Sequence, residues 1–204
     1  MQIDFLVEEP SIEAVLNNLL PILLPTGTSF NIRVFQGKMD LLKRLPVLLK
    51  GYKKWIDTNH KIVILIDRHY DDCYNLKKKL ENIAQDAQMI TKSAAGRFES
   101  FQVLNRIVIV ELESWFLGDK HAIKAAYPAI SPNFVKRSKK SNPDKLDHPS
   151  KDLEKILQRA KYYSSGMPKI EVAQNISSHM DPARNCSPSF QIFCSGLKAI
   201  LSQS

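Results

Sequence analysis

The chain is predicted to be an α/β protein with a mostly parallel central sheet flanked by helices and a helical C-terminal portion. Three observations predict it. Short aliphatic runs, Ile3-Asp4-Phe5-Leu6-Val7, Ile62-Val63-Ile64-Leu65-Ile66 and Ile107-Val108-Ile109-Val110, have the composition of strands buried on both faces. Segments with helical apolar spacing separate them. After about residue 130 the strand pattern ceases and prolines and basic residues take over.

The first run leads into a helix opened by Pro10-Ser11-Ile12-Glu13, with Ile12, Val15, Leu16, Leu19 and Leu20 on one stripe. Pro21 and Pro25 are expected to end it. Alternation over Phe30–Phe35 predicts a second strand. Gly37-Lys38-Met39-Asp40 introduces a helix over about 39–57, bent or interrupted at Pro46. Lys61–Asp67 is the third strand, and Asp71 or Asp72 starts the helix carrying Leu76, Leu80 and Ile83. A short strand is expected over 88–91 and a stronger one over 105–111. Helices follow over about 151–161, 168–180 and 188–202, the last signalled by Ser187-Pro188-Ser189. The natural division is a core over 1–130 and a basic loop with C-terminal helices over 131–204, packed on that core as one domain.

With 204 residues and 44% apolar content, the chain can build a full core. No apolar stretch reaches the roughly 20 residues a membrane-spanning helix needs. The N-terminus lacks the basic region and cleavage site of a signal peptide, so a cytoplasmic location without membrane contact is expected. Cys73, Cys186 and Cys194 form no Cys-x-x-Cys pair and read as reduced thiols. The net charge of +8 suits a polyanionic partner, nucleic acid above all.

All three aliphatic runs end in acid. Sites in open α/β sheets form beyond the carboxyl ends of the strands. Parallel neighbours would gather Glu8, Asp67, Glu111 and Glu113 at one edge, where clustered carboxylates repel unless a cation neutralises them. Hard oxygen ligands suit Mg2+ or Mn2+. Glu8 is a ligand or a general acid or base. Asp67 is followed by His69, Asp71 and Asp72; if the strand continues, residues 67 and 69 face the same way. His69 would ligate metal or orient an acid, and Asp72 would ligate or cap the next helix. Glu111 and Glu113, two apart, would share one side. Asp119 is a ligand, a cap for the helix over 122–126, or both. Gln36-Gly37-Lys38, between strand and helix, offers Lys38 to a phosphate, although neither a P-loop nor a GxGxxG pattern is present. The basic stretch with Lys136, Arg137, Lys139 and Lys140 is a second phosphate-contact patch, against the reading of a solvated loop.

Taken together, Leu6-Val7-Glu8, the acids over Asp67–Asp72 and Glu-x-Glu at 111–113 resemble the Toprim-type metal fold, with its Rossmann-like sheet. That fold occurs in topoisomerases, bacterial primases and the overcoming-lysogenization-defect nucleases. A closer likeness is to family 4276 of the bacterial domains of unknown function. It is carried by Val-Glu-Glu-Pro-Ser at 7–11, Gln-Gly-Lys at 36–38, Ile-Asp-Arg-His-Tyr-Asp-Asp-Cys at 66–73, Glu-Leu-Glu-Ser-Trp-Phe-Leu-Gly-Asp at 111–119 and Ser-Pro-Ser-Phe at 187–190. The resemblance implies an ATPase partner and a phage-defence or mobile-element setting. With the residues above, it leads to the expectation of a divalent-metal-dependent nuclease acting on DNA more than RNA, with Glu8, Asp67 and Glu111 catalytic and Asp71 and Glu113 as further ligands. Two positions depart from the Toprim pattern: Glu9 stands at a usual glycine, and His69 at the second aspartate. These departures favour the alternative expectation, a non-catalytic module that binds nucleic acid or the ATPase.

Overall fold

The structure, a computed structural model, describes residues 1–96, 99–136 and 142–203. The order is β1 (Gln2–Val7), α1 (Pro10–Leu23), β2 (Ser29–Val34), α2 (Lys38–Lys53), β3 (His60–Asp67), α3 (Cys73–Asp86) and β4 (Val103–Val108). Helices α4 (Glu113–Leu117), α5 (Lys120–Ala126), α6 (Asn133–Lys136), a 3-10 turn at Pro143–Lys145, α7 (Pro149–Arg159), α8 (Lys169–Ser177) and α9 (Pro188–Leu201) complete it. The expected α/β architecture is present, a four-stranded parallel sheet flanked by helices with a helical C-terminal portion. Among the described residues no helix is long and apolar enough to cross a membrane.

Contacts divide the chain into two compact units. The first comprises Met1–Pro10, Leu24–Ile107 and Ser195–Ser204; the second comprises Ser11–Leu23 and Val108–Cys194.

In the first unit the strand order is β2-β1-β3-β4. Parallel neighbours need a crossover, and each sequential strand pair is joined by one helix. The register sets Val7 beside Val34 on one side and Leu65 on the other. Side chains alternate across a strand. Leu6, Ile62, Ile64 and Ile66 accordingly share one core cluster with Leu41, Leu45 and Leu49 of α2 and Leu76 and Leu80 of α3. Ile3, Phe5, Val7, Val63 and Leu65, on the alternate positions, are buried as well. Buried faces on both sides explain why these strands are continuous aliphatic runs.

Asp4 interrupts the first run and Lys61 precedes the second, and each is satisfied. Asp4 Oδ2 accepts from Tyr52 Oη at 2.7 Å and lies 3.0 Å from His60 Nε2. Burial, then the Asp4 hydrogen bond, pushes the Tyr52 hydroxyl pKa well above its ordinary value. Lys61, buried in β3, donates to Phe101 O at 2.8 Å and to Ser100 Oγ and Gln203 Oε1 at 3.1 Å. Burial lowers its pKa.

Several elements differ from expectation. Helix α1 runs through Pro21 and ends at Leu23. A proline in the last turn removes one hydrogen bond and leaves the preceding turns intact. Helix α2 likewise continues through Pro46 as one element, so the interruption allowed for there is absent. The 88–91 segment forms only a bridge, Thr91 to Val103. Strand β4 covers 103–108 rather than 105–111. The chain leaves the ladder at Ile109-Val110, where Val110 takes a left-handed φ of 65°.

The second unit is organised around α4. Trp115 packs against Phe190 and Phe193 with centroids 5.0 and 5.2 Å away, and its indole donates to Ser189 Oγ at 3.0 Å. Asn185 Nδ2 donates to Trp115 O at 2.8 Å. Gly118 leaves room for this: a Cβ there would lie 2.3 Å from Asn185 Oδ1 and 3.0 Å from Ser187 N.

Two outcomes follow for stability. Gly118→Ala should destabilise the protein by about 1–3 kcal/mol, since a buried loop must shift, and a thermal melt reads this as a drop of several degrees. The second concerns Glu81. Burial raises its pKa, but hydrogen bonds from Asn105, Lys77 and Thr91 outweigh this and hold it below the ordinary 4.5. Its stabilisation is present above pH 4.5 and is lost as pH falls through the lower folded value. Glu81→Gln should flatten the acid limb of a denaturant-stability profile.

Candidate metal centre at the switch point of the sheet

In the strand order, β1 connects to β2 on one side while β3 lies on the other. The β1/β3 boundary is therefore a topological switch point, where crevices form outside the carboxyl ends of the strands. Glu8 follows β1 and Asp67 ends β3 there, each 2% exposed. Alternation places Glu8 in the series of Leu6 and Asp67 in the series of Leu65. The two carboxylates thus rise from opposite faces and meet over the sheet edge.

The backbone around Glu8 is fixed by the neighbouring turn. Phe35 N donates to Val7 O at 2.9 Å and Gly37 N to Glu8 O at 2.7 Å, extending the ladder past β2. Gly37 has a φ of 87°, which a side chain would strain. Lys38 then begins α2, and its ammonium donates to Arg68 O at 2.8 Å and Asp71 Oδ2 at 2.7 Å. This lysine ties the loop after β3 to the start of α2.

His69 reaches the cluster by a different route from the one its spacing suggests. Strand β3 stops at Asp67, and His69 adopts a left-handed φ of 50°. Its Nε2 lies 3.3 Å from Glu8 Oε1. One ligand atom each from Glu8, Asp67 and His69 can be chosen so that all lie within 4.8 Å of one another. Donors around a small divalent cation stand up to about 4 Å apart, so a slight contraction closes this set. Glu8 Oε2 is buried and has no hydrogen-bond partner among the described residues. Two carboxylates and an imidazole with a buried, unsatisfied oxygen fit a divalent cation; the imidazole suits Mn2+ better than Mg2+. A cleft of about 560 Å3 opens beside His69, bordered by Lys38, Tyr70, Asp71 and Lys79.

The other expected ligands have different partners. Asp71 pairs with Lys38, and Asp72 caps α3 by accepting from Asn75 N at 2.8 Å. Glu111, Glu113 and Asp119 belong to the second unit. Glu111 does not end a strand: it follows the left-handed Val110, and its Oε2 accepts from Ser150 N at 3.0 Å in the first turn of α7. Glu113 opens α4, so the strand spacing that would align it with Glu111 does not apply; its carboxylate is buried 3.8 Å from Lys169 Nζ. Asp119 caps α5 through Ala122 N and takes a bidentate pair from Arg184 at 2.7 and 2.8 Å. Arg184 carries no sequence signal for this role, being 65 positions away. Lys136 ends α6, while Arg137, Lys139 and Lys140 lie outside the described residues.

The fold and site define a parallel α/β protein with a carboxylate–imidazole cluster at its switch point. The family model "Domain of unknown function (DUF4276)" matches residues 7–198, and the chain belongs to that family. None of the curated proteins and none of the solved structures compared with it matches.

The Lys38–Asp71 contact can be read directly. The hydrogen bond from Lys38 holds the Asp71 carboxyl below its ordinary 3.8. The stabilisation is present above pH 3.8 and is lost as pH falls through the lower folded value. In Lys38→Met the Asp71 titration, followed by carboxyl NMR, should move back toward 3.8.

Proposed function

We propose that this protein is a divalent-metal-dependent nuclease, hydrolysing phosphodiesters with a Toprim-related cluster of Glu8, Asp67 and His69. The carrying observation is the approach of these three side chains to within 4.8 Å at the switch point, two of them almost fully buried. The net charge of +8 supports an anionic polymer as substrate. A cation bound there would polarise a phosphoryl oxygen and acidify a water. Glu8 and Asp67 supply the negative charge that selects a cation. His69, 39% exposed, stands at the solvent side of the cluster, where its imidazole would complete the ligand set next to an entering group. Lys38 positions the loop that carries His69. Glu111 and Glu113 have local partners in the second unit, so the proposal places the first-unit trio at the centre of the chemistry. An ATPase partner and a role in phage defence remain part of this reading.

The His69–Glu8 contact favours a second reading, since a protonated imidazole partly neutralises the cluster by itself. The chain would then be a binding module for nucleic acid or the ATPase. One experiment separates the two. Purified protein is titrated with Mn2+ by calorimetry and incubated with supercoiled and linear DNA and with RNA, with and without Mn2+. The nuclease reading expects saturable Mn2+ binding and metal-dependent cleavage. Asp67→Asn should reduce cleavage about a hundredfold or more and weaken Mn2+ binding. Absence of both Mn2+ binding and cleavage rejects it for the chain alone.

A further inference from the structure

The second unit holds a cavity that the carboxylate cluster does not use. It encloses about 400 Å3, within the size range of small-molecule sites. Lys120 and Arg159 line it from α5 and the end of α7, with Phe134, Ile130, Ile156 and Ala160 forming apolar walls. No carboxylate is among the described residues lining it. Neither Lys120 nor Arg159 has a hydrogen bond or ion pair among the described residues; Lys120 Nζ stands over the Phe134 ring, 5.3 Å from its centroid, with the Cys186 thiol near enough to act on its charge.

Three other cations of the unit have partners. Arg184 is paired with Asp119, Lys169 with Glu113, and Lys124 Nζ donates to Pro128 O and Ile130 O. Lys120 and Arg159 both line one concavity without a carboxylate among its described lining residues, and partial burial makes the charge on Lys120 more costly, lowering its pKa. A bound anion offsets that penalty. A guanidinium beside an ammonium suits phosphate oxygens. The aromatic and aliphatic walls call for a flat apolar body attached to that anion.

We propose that this cavity binds a nucleoside phosphate, with its phosphate on Lys120 and Arg159 and its base against Phe134 and Ile156. The ligand is either a free nucleotide or one residue of a nucleic-acid strand, both offering the same phosphate and planar ring. The site is independent of metal, so its test is run in EDTA and does not depend on the nuclease reading.

The test titrates the full chain by calorimetry with adenosine 5′-monophosphate, ribose 5-phosphate and a short single-stranded oligonucleotide. At least one of the two base-bearing probes should saturate one site per chain, and ribose 5-phosphate should bind at least about tenfold more weakly because it lacks the ring. Lys120→Met and Arg159→Gln should each weaken the base-bearing probes about tenfold or more, and higher salt should weaken them further. Arg159 is exposed, so Arg159→Gln should keep the native melting temperature and carry the test even if Lys120→Met fails to fold. Tighter binding of the oligonucleotide assigns the cavity to a strand residue; equal or tighter binding of the monophosphate assigns it to a free nucleotide. Absence of saturable binding by both base-bearing probes, binding unaffected by Arg159→Gln, or ribose 5-phosphate binding as tightly as the monophosphate would overturn the proposal.

Discussion

The pairing of β1 with β3 is the constraint on which the candidate centre depends. It brings residue 8 beside the end of a strand that begins more than fifty positions later. A slip of one residue would turn every side chain of β1 to the other face and carry Glu8 away from Asp67. Hydrophobicity alone guards poorly against such a slip, because both faces of these strands are apolar and buried. The polar exceptions guard better. Asp4 meets Tyr52 and His60 only in this register, and Lys61 meets Phe101 O and Gln203 only where β3 now lies. A shifted strand would leave a buried charge unpaired, which is among the costliest errors a fold can make. Polar contacts at the amino ends of the strands therefore fix where the carboxylates stand at their carboxyl ends.

Much of this was legible in the sequence. Short, nearly continuous apolar runs are seldom exposed, so β1 and β3 could be read from composition. Asp72 and Asp119 precede helical patterns and do cap them, since a short acidic side chain reaches the free N–H groups of a first turn. Glu8 and Asp67 followed from the rule that open sheets place sites at strand ends. The Ile107–Val110 run has the same composition as β3 and misled. Its second half leaves the ladder through a left-handed valine, and Ser114 Oγ donates to Ile109 O at 2.7 Å and also to Glu111 O. Composition reports burial; it does not report which buried carbonyls a hydroxyl five residues later will claim. The Arg184 pair with Asp119 and the Lys120–Arg159 cavity lay beyond reach because their members come from segments far apart in the chain.

His69 shows how a centre can be assembled against local preference. Extended backbone after Asp67 would carry the imidazole along the strand axis. The left-handed turn instead brings it to Glu8, at a conformational cost that histidine tolerates better than a branched residue. Such conformations persist where surrounding contacts over-determine them. Here the surrounding contact is Lys38. Its ammonium holds Arg68 O, the carbonyl immediately before His69, and the Asp71 carboxylate two residues beyond.

That placement changes the part Lys38 plays. A lysine after a glycine at a helix start suggests a phosphate ligand, yet two of its three hydrogens already serve the loop, and its side chain is only 14% exposed. The positive charge is therefore spent on geometry first. It clamps the segment on both sides of His69, whose imidazole stands beside the buried carboxylates. Anchoring Glu8 needs no such clamp, because Gly37 N bonds its carbonyl directly. The rigid half of the trio stands on backbone ladders and the adjustable half on one side chain, and it is the adjustable half that faces solvent.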